Sequence, residues 1–389
     1  MTREQKISVI SLIISVGFTF AVLYHYMLGI YLSRNYPFNT FLSQPEDRWM
    51  DFIWPYMLSP NPYVILRPSH QNFPFLYQIA SGLRTLEPIV SLFAFLFLFW
   101  ALFAYICMHE LRTENRIFNL QTAFVFCFLS YPILISLDRA NFEILEFVFL
   151  YLYIFYYQKH PNLSALALGC GIALKAFPVV LAILLQADRK YKQLIIAALT
   201  SFIITMISYA TLPGGTSVNI LYHLVNLKLY TKFYVIDNLG LYFGHSIWGG
   251  LKFISIWTNS QLIDPNTYTT MSIIVLIAIA FYVTFLENSF WKKTALAVCS
   301  LNLLPMVSGD YKLLHIFIPL FLFINVSEKG KYDMAYAILF GLLLIPKSYY
   351  HLPTLPEANI AILLNPILML LLVLLIIFGR QASELSSQV

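Results

Sequence analysis

PNLSALALGCGIALKAFPVVLAILLQ, residues 161–186, is the stretch whose reading sets the topology of everything after it. A helix crossing a hydrocarbon core of about 30 Å needs roughly 20 apolar residues, so the stretch is long enough for one crossing. Lys175 and Pro178 interrupt its middle, however, and basic connectors flank both ends: Lys159-His160 before it and Arg189 to Lys192 after it. A single span would invert every later segment and move Arg189 to Lys192 and Lys292-Lys293 outside, against the cytoplasmic bias of short basic loops. The stretch is therefore predicted to be a pair of short helices that enters and leaves on the cytoplasmic side, with its break near Lys175 in the protein interior. Broken backbone at that depth is tolerated only where it is buried in protein or lines a cavity.

Outward from this stretch, composition points the same way. The chain of 389 residues is 59% hydrophobic, 17% aromatic and 11% charged, with mean hydropathy +0.72. Soluble domains carry about a quarter charged residues, so this is predicted to be an all-α polytopic membrane protein, one transmembrane domain over 1–389. Full crossings are expected at about 8–31, 86–108, 118–137, 142–158, 193–211, 268–286, 294–309, 313–326, 334–346 and 358–378. The first is too long for the h-region of a signal peptide and reads as a retained span. Ten crossings plus the hairpin put both termini on one side. That side is cytoplasmic, because Arg3, Lys6, His109 to Arg116, Lys159, Arg189 to Lys192, Lys292-Lys293, Lys329 to Lys331 and Arg380 then all face inward.

The net charge of +5 concerns orientation and anionic headgroups, because no basic run interleaved with aromatics marks a nucleic-acid surface. Cys107, Cys127, Cys170 and Cys299 fall inside apolar stretches without metal-ligand spacing. Two long external loops, about 33–85 and 212–267, carry aromatic-rich pieces such as Asp51 to Tyr56 and Tyr222 to Tyr234, which suit helices lying at the headgroups.

With this topology the remaining polar islands meet on the external face. The first is Gln44-Pro45-Glu46-Asp47-Arg48-Trp49-Met50-Asp51-Phe52. A carboxylate at a cavity mouth can be a general base toward a hydroxyl, or with a second carboxylate hold a divalent cation; the plainer reading of Glu46, Asp47 and Asp51 is a solvated loop. The second is Asp138-Arg139-Ala140-Asn141-Phe142-Glu143, where a guanidinium beside a helix start suits a phosphate, against helix capping and a local ion pair. Lys175, at the interior break of 161–186, is a third candidate, since an ionisable group inside a membrane segment is a functional hypothesis by default; snorkelling is its alternative. The fourth is Asn238 to Ser246, with His245 as donor or proton carrier, or simply a hydrogen-bonded core residue. Asp310-Tyr311-Lys312, with His315 one turn later, forms a compact polar set or a self-satisfied turn. No Walker-type loop, His-Glu-x-x-His or Gly-x-Ser-x-Gly occurs, and no Asp-x-Asp pair in the first loop, which speaks against a cytoplasmic nucleotide-consuming enzyme.

These motifs resemble, in order and spacing over residues 1–320, the family 87 glycosyltransferases of the GT-C class. The carriers are Asp51-Phe52, Pro60-Asn61-Pro62-Tyr63, Asn72-Phe73-Pro74, Asp138-Arg139-Ala140-Asn141 against the family's Asp-Arg-Gly-Asn, Lys175-Ala176-Phe177-Pro178, and Asn238 to Gly244 with Gly240 where serine is usual. The resemblance implies a GT-C-like bundle in the cytoplasmic membrane. It implies a polyprenyl-phosphate-sugar donor, typically of mannose, a glycolipid or glycan acceptor, and a reaction on the external face. It also implies that Asp51 deprotonates the acceptor in an inverting displacement. Arg139, Asn141, Lys175, Asn238, His245, Asp310 and Lys312 are then expected around the donor phosphate and sugar, with Glu46, Asp47 and His315 as secondary candidates and a divalent cation left open. Two other readings use the same features: a secondary transporter built on the interrupted 161–186 segment, and a polysaccharide polymerase or ligase acting on lipid-linked sugars.

Overall fold

The structure is a computed structural model that describes residues 1–63, 72–242, 244–260 and 263–386, with side chains as far as Gly379. Val64 to Gln71 of the first loop, Phe243 of the Asn238–Gly244 motif and the side chain of Arg380 lie outside the described residues.

Local signals start the long helices where the sequence places them. Helix α1 (Arg3–Ile30) opens on a Thr2–Gln5 capping box. After α2 (Met50–Leu58) and α3 (Pro74–Leu83), α4 (Pro88–Glu110) begins on a proline. Asn115 caps α5 (Arg116–Phe124), which continues through a π segment and bends by 49° into α6 (Tyr131–Arg139). Then come α7 (Glu143–Phe155), α8 (Pro161–Leu174), α9 (Ala182–Ala187), α10 (Tyr191–Thr211), α11 (Gly215–Tyr230) and α12 (Ile247–Thr258). Asp264 and Pro265 start α13 (Pro265–Phe285). The remainder is α14 (Phe290–Leu303), α15 (Phe317–Asn325), α16 (Asp333–Leu343), a small antiparallel pair β1 (His351–Leu352) and β2 (Leu355–Asn359), and α17 (Ala361–Ser386).

Helices α1, α4, α10, α13 and the 361–379 part of α17 are long and apolar enough to cross a membrane, and α5–α6 makes a sixth if the bent pair is one span. Their outward residues suit a hydrocarbon surroundings, as with Phe97, Leu98, Phe202 and Ile277, each more than 60% exposed. The other segments expected to cross are shorter. Residues 142–158 give the 13-residue α7, 294–309 the 14-residue α14, and 334–346 the 11-residue α16. Residues 313–326 divide into a 3-10 turn, Asp310–Ile316, and the 9-residue α15. Helices α14 and α15 sit in the core, with Thr294 to Leu303 and Phe317 to Phe321 all buried. Protein surrounds them, so lipid thickness does not fix their length; Pro305 follows α14 and Pro319 lies in the first turn of α15.

The 161–186 segment folds as two arms. Helix α8 runs back along α7, with Ser164 Oγ donating to Tyr153 O at 2.6 Å. The helix breaks at Lys175, whose backbone is extended, and a 3-10 turn (Phe177–Leu181) leads into α9. At the far end Lys190 Nζ donates to Tyr157 O at 2.8 Å, and Gln193 Nε2 to Asn162 Oδ1 at 3.3 Å. The start of α8 and the start of α10 are therefore neighbours, and the pair enters and leaves at the same end of the bundle. From there α10 lies directly on α8: a Cβ on Gly169 would stand 2.7 Å from Ala197 O.

Basic connectors collect at that end. Arg3 Nη2 donates to Glu110 O at 2.8 Å, Lys293 pairs with Asp188 at 3.3 Å, and the N-terminal amine pairs with Asp333 at 2.9 Å. The polar islands collect at the opposite end, where Trp49 N donates to Asp138 O at 2.8 Å and Gly244 bridges to Gly309.

Candidate active site

Two backbone turns bring the first and second islands face to face. Trp49 stands in the left-handed region at φ 61°, and Asp51 follows in the first turn of α2. Ala140 stands there too, at φ 48°, just where α6 ends. This conformation costs a non-glycine residue about 1–2 kcal/mol, and it explains why a glycine suits that position of the motif. The reversal at Ala140 turns the side chains of Arg139 and Asn141 toward one point, and Asp51 occupies it.

Arg139 grips the Asp51 carboxylate with Nε to Oδ2 at 3.1 Å and Nη2 to Oδ1 at 2.5 Å, while its Nη1 donates to Asp47 O at 3.1 Å. Asn141 Nδ2 donates to Asp51 Oδ2 at 2.7 Å. The Asn141 carbonyl faces the other way and accepts from Lys175 Nζ at 3.0 Å and from the Glu143 backbone N–H at 2.8 Å. Lys175, at the tip of the two-armed segment, also pairs with Glu143, whose second oxygen accepts from His315 Nε2 at 2.7 Å.

Asp51, Arg139, Asn141 and Lys175 form the polar wall of a cavity of about 400 Å³, together with Asp47. Trp54, Tyr230, Tyr234, Tyr242 and Tyr311 supply aromatic faces, and Leu239-Gly240 and Gly309 close it. Gly240 is there for a steric reason, since a Cβ would fall 2.3 Å from Tyr234 O. Burial, then the Asp51 charge, push the Tyr234 phenol above its usual range, so its hydroxyl stays neutral beside the carboxylate. Two carboxylates, two cations and aromatic faces around one space can accept a proton, hold an anion and stack a ring.

The remaining sequence candidates fall elsewhere. Asn238 is the residue before Leu239-Gly240, and its carbonyl accepts from Leu241 N at 3.0 Å; its side chain is not in the wall. His245 is buried away from the cavity, within 3.3 Å of Asp310, 3.0 Å of Asn302 and 3.1 Å of Ser308. Asp310 belongs to that same buried cluster, accepting from Tyr131 Oη at 2.6 Å. Lys312 lies behind the wall with its Nζ 3.9 Å above the Phe177 ring, and burial, opposed by Glu143, pulls it down to about 8. His315 is buried behind Glu143. Glu46 sits in a 3-10 turn (Pro45–Asp47) outside the lining, and among the described residues no group of three or more His, Cys, Asp or Glu could hold a metal ion.

Glu143 and Glu146, which the motifs leave without a role, are both fully buried on α7 beneath the wall. Their signal was present: two carboxylates three residues apart inside an apolar segment face the same way on a helix and require cationic company.

No curated protein and no solved structure matches the chain. The sequence model of glycosyltransferase family 87 does match, over residues 74–309. The match covers Arg139, Asn141 and Lys175 of the wall and starts after Asp51. It takes in more than half of the sequence, and the chain belongs to glycosyltransferase family 87.

Proposed function

We propose that the protein moves a hexose, mannose in the first instance, from a polyprenyl-phosphate donor to a hydroxyl of a glycolipid or glycan. We place the reaction on the external face of the cytoplasmic membrane, with both termini inside, because the end of the bundle opposite the cavity carries the basic connectors. The observation that supports this most is the shared wall: Asp51, Arg139, Asn141 and Lys175 border one cavity at one end of the bundle. Transport, the rival in sequence terms, draws no support from membership of an enzyme family.

In this reading the acceptor hydroxyl approaches Asp51 and attacks C1 from the face opposite the phosphate. The new C1–O bond forms as the C1–O–phosphate bond breaks, the hydroxyl proton passes to Asp51 and then to water, and polyprenyl phosphate leaves. Configuration at C1 inverts. Arg139 pairs with Asp51 and fixes the direction of its carboxylate. A weak base suffices because the phosphate is a good leaving group and the transition state is oxocarbenium-like, so the attacking oxygen becomes acidic only as it bonds. Lys175 and Arg139 face the charge that grows on the departing phosphate. Tyr230, Tyr234 and Trp54 offer faces for the sugar ring, and the apolar exterior suits the prenyl chain.

The test is a donor comparison. Purified protein is given a prenyl-phosphate mannose or a nucleotide hexose, with a glycolipid acceptor, and free prenyl phosphate is measured. Release from the prenyl donor supports the reading; turnover with the nucleotide sugar alone would overturn it.

A further inference from the structure

Lys175 reaches the cavity from an awkward place. Its backbone has left the helix, at φ −150° and ψ 131°, and its side chain spans from the tip of the two-armed segment to the first turn of α7. An ammonium carries three N–H donors. One goes to Asn141 Oδ1 at 3.0 Å and one to Glu143 Oε2, which leaves one for a ligand in the cavity.

Glu143 is not in the cavity wall. It is fully buried behind Lys175, with a side chain 0% exposed against 18% for the lysine. Its far oxygen is held by His315 Nε2 at 2.7 Å, from the Asp310–Ile316 turn. The same turn provides Lys312, whose Nζ lies 3.9 Å over Phe177, two residues past Lys175 on the outgoing arm. The tip is thus fixed from both sides: Glu143 holds its ammonium and Lys312 covers the ring next to it.

Two effects of Glu143 on an anion in the cavity compete. Its charge repels the anion through the protein, but it also holds an ammonium that can touch it. The direct contact acts over hydrogen-bonding distance, whereas the repulsion acts from a group already neutralised by Lys175 and donated to by His315, so holding wins. We infer that Glu143, backed by His315, is a positioning residue that sets the Lys175 ammonium against the donor phosphate. This rests on the proposed function, in which that phosphate lies at Lys175.

The experiment is a double-mutant cycle on binding of geranylgeranyl monophosphate, a product analogue that needs no chemistry. Wild type, Glu143→Gln, Lys175→Gln and the double variant are titrated in the same detergent. Each single change is expected to weaken binding about tenfold or more, and the double variant to bind no more weakly than Lys175→Gln alone, because Glu143 acts through the lysine. Losses that multiply, or Glu143→Gln binding as tightly as wild type, would overturn the inference.

Should Glu143→Gln fail to fold, His315 gives the same reading. His315→Gln keeps an N–H donor and should retain most of the binding that His315→Leu loses, and the loss in His315→Leu should vanish when Lys175 is already Gln. Equal losses with and without Lys175 would count against it. A wild type that binds no prenyl phosphate defeats the donor assignment, whereas multiplying losses in a protein that does bind defeat only the role of Glu143.

Discussion

Arg139 and Asp51 meet through two parallel N–H···O contacts, at 3.1 and 2.5 Å, across the join between α6 and α2. Both side chains remain about one-fifth exposed, at 19% and 22%, on the cavity side. The pair therefore fixes the direction of the Asp51 carboxylate without closing it off. A lysine at 139 keeps the charge but loses the planar fork. Arg139→Lys is predicted to lower turnover by about 100-fold, the usual consequence of a carboxylate misplaced by about 1 Å, with protein yield and melting temperature near wild type. Turnover within twofold of wild type would show that the fork does not orient the base.

Gly240 touches the aromatic wall. With a Cβ at 2.3 Å from Tyr234 O, Gly240→Ala must move the backbone that carries Tyr230 and Tyr234. The expected result is a loss of about 1–3 kcal/mol in stability and a raised KM for the donor with a smaller change in kcat. Unchanged melting temperature and KM would mean that the loop yields freely there.

Stability should rise with pH in the alkaline range. Lys347 is buried just past α16, with Nζ donating to Ile345 O at 2.8 Å, and burial, opposed by Asp310, pulls it down to about 7. Lysine in the unfolded chain titrates near about 10.4. Between about pH 7 and about pH 10 the unfolded chain therefore binds more protons than the folded one, and folding becomes more favourable as pH increases. Lys252 and Lys312, each held near 8 by burial, act with the same sign. Thermal unfolding in detergent should show this slope, and in Lys347→Met its onset should move up toward pH 8. A slope of opposite sign would show that the folded state favours the charged form of these lysines.

Sidedness can be read by labelling. Single cysteines at His160 and Lys190 should react with an impermeant thiol reagent from the same side of the membrane, and one at Tyr242 only from the other. The four native cysteines are free, three of them buried, and can be replaced first. Reaction of the 160 and 190 cysteines from opposite sides would make 161–186 a crossing.

Much of this site was legible in the sequence, because burying charge in a membrane is costly and each charged residue there needs a reason. Asp51, Arg139, Asn141 and Lys175 were identifiable from that cost and from the order of motifs, and the break at Lys175 from Pro178 and the flanking lysines. His245 and Asp310 looked alike at the same level but form a buried hydrogen-bonded cluster with Asn302 and Tyr131. Local pattern does not distinguish a polar group that faces a cavity from one satisfied inside a bundle; only the packing of α6, α12 and α14 does. Among the described residues, fewer helices reach full span length than the ten segments expected to cross, for a related reason. Apolar stretches such as 294–309 and 313–326 fold as short helices surrounded by protein. Glu143 passed unused because its partners Lys175 and His315 lie 32 and 172 residues away in sequence.

Removal of the acceptor proton is the proposed role of Asp51. It is tested most directly by comparing Asp51→Asn with wild type, measuring both prenyl-phosphate release from the lipid-linked sugar and binding of a prenyl phosphate. An asparagine keeps the size of the side chain and one oxygen for Arg139 but cannot take the proton. Release is expected to fall by at least about 100-fold while the folded protein still binds prenyl phosphate. Release at the wild-type rate by Asp51→Asn would contradict that role.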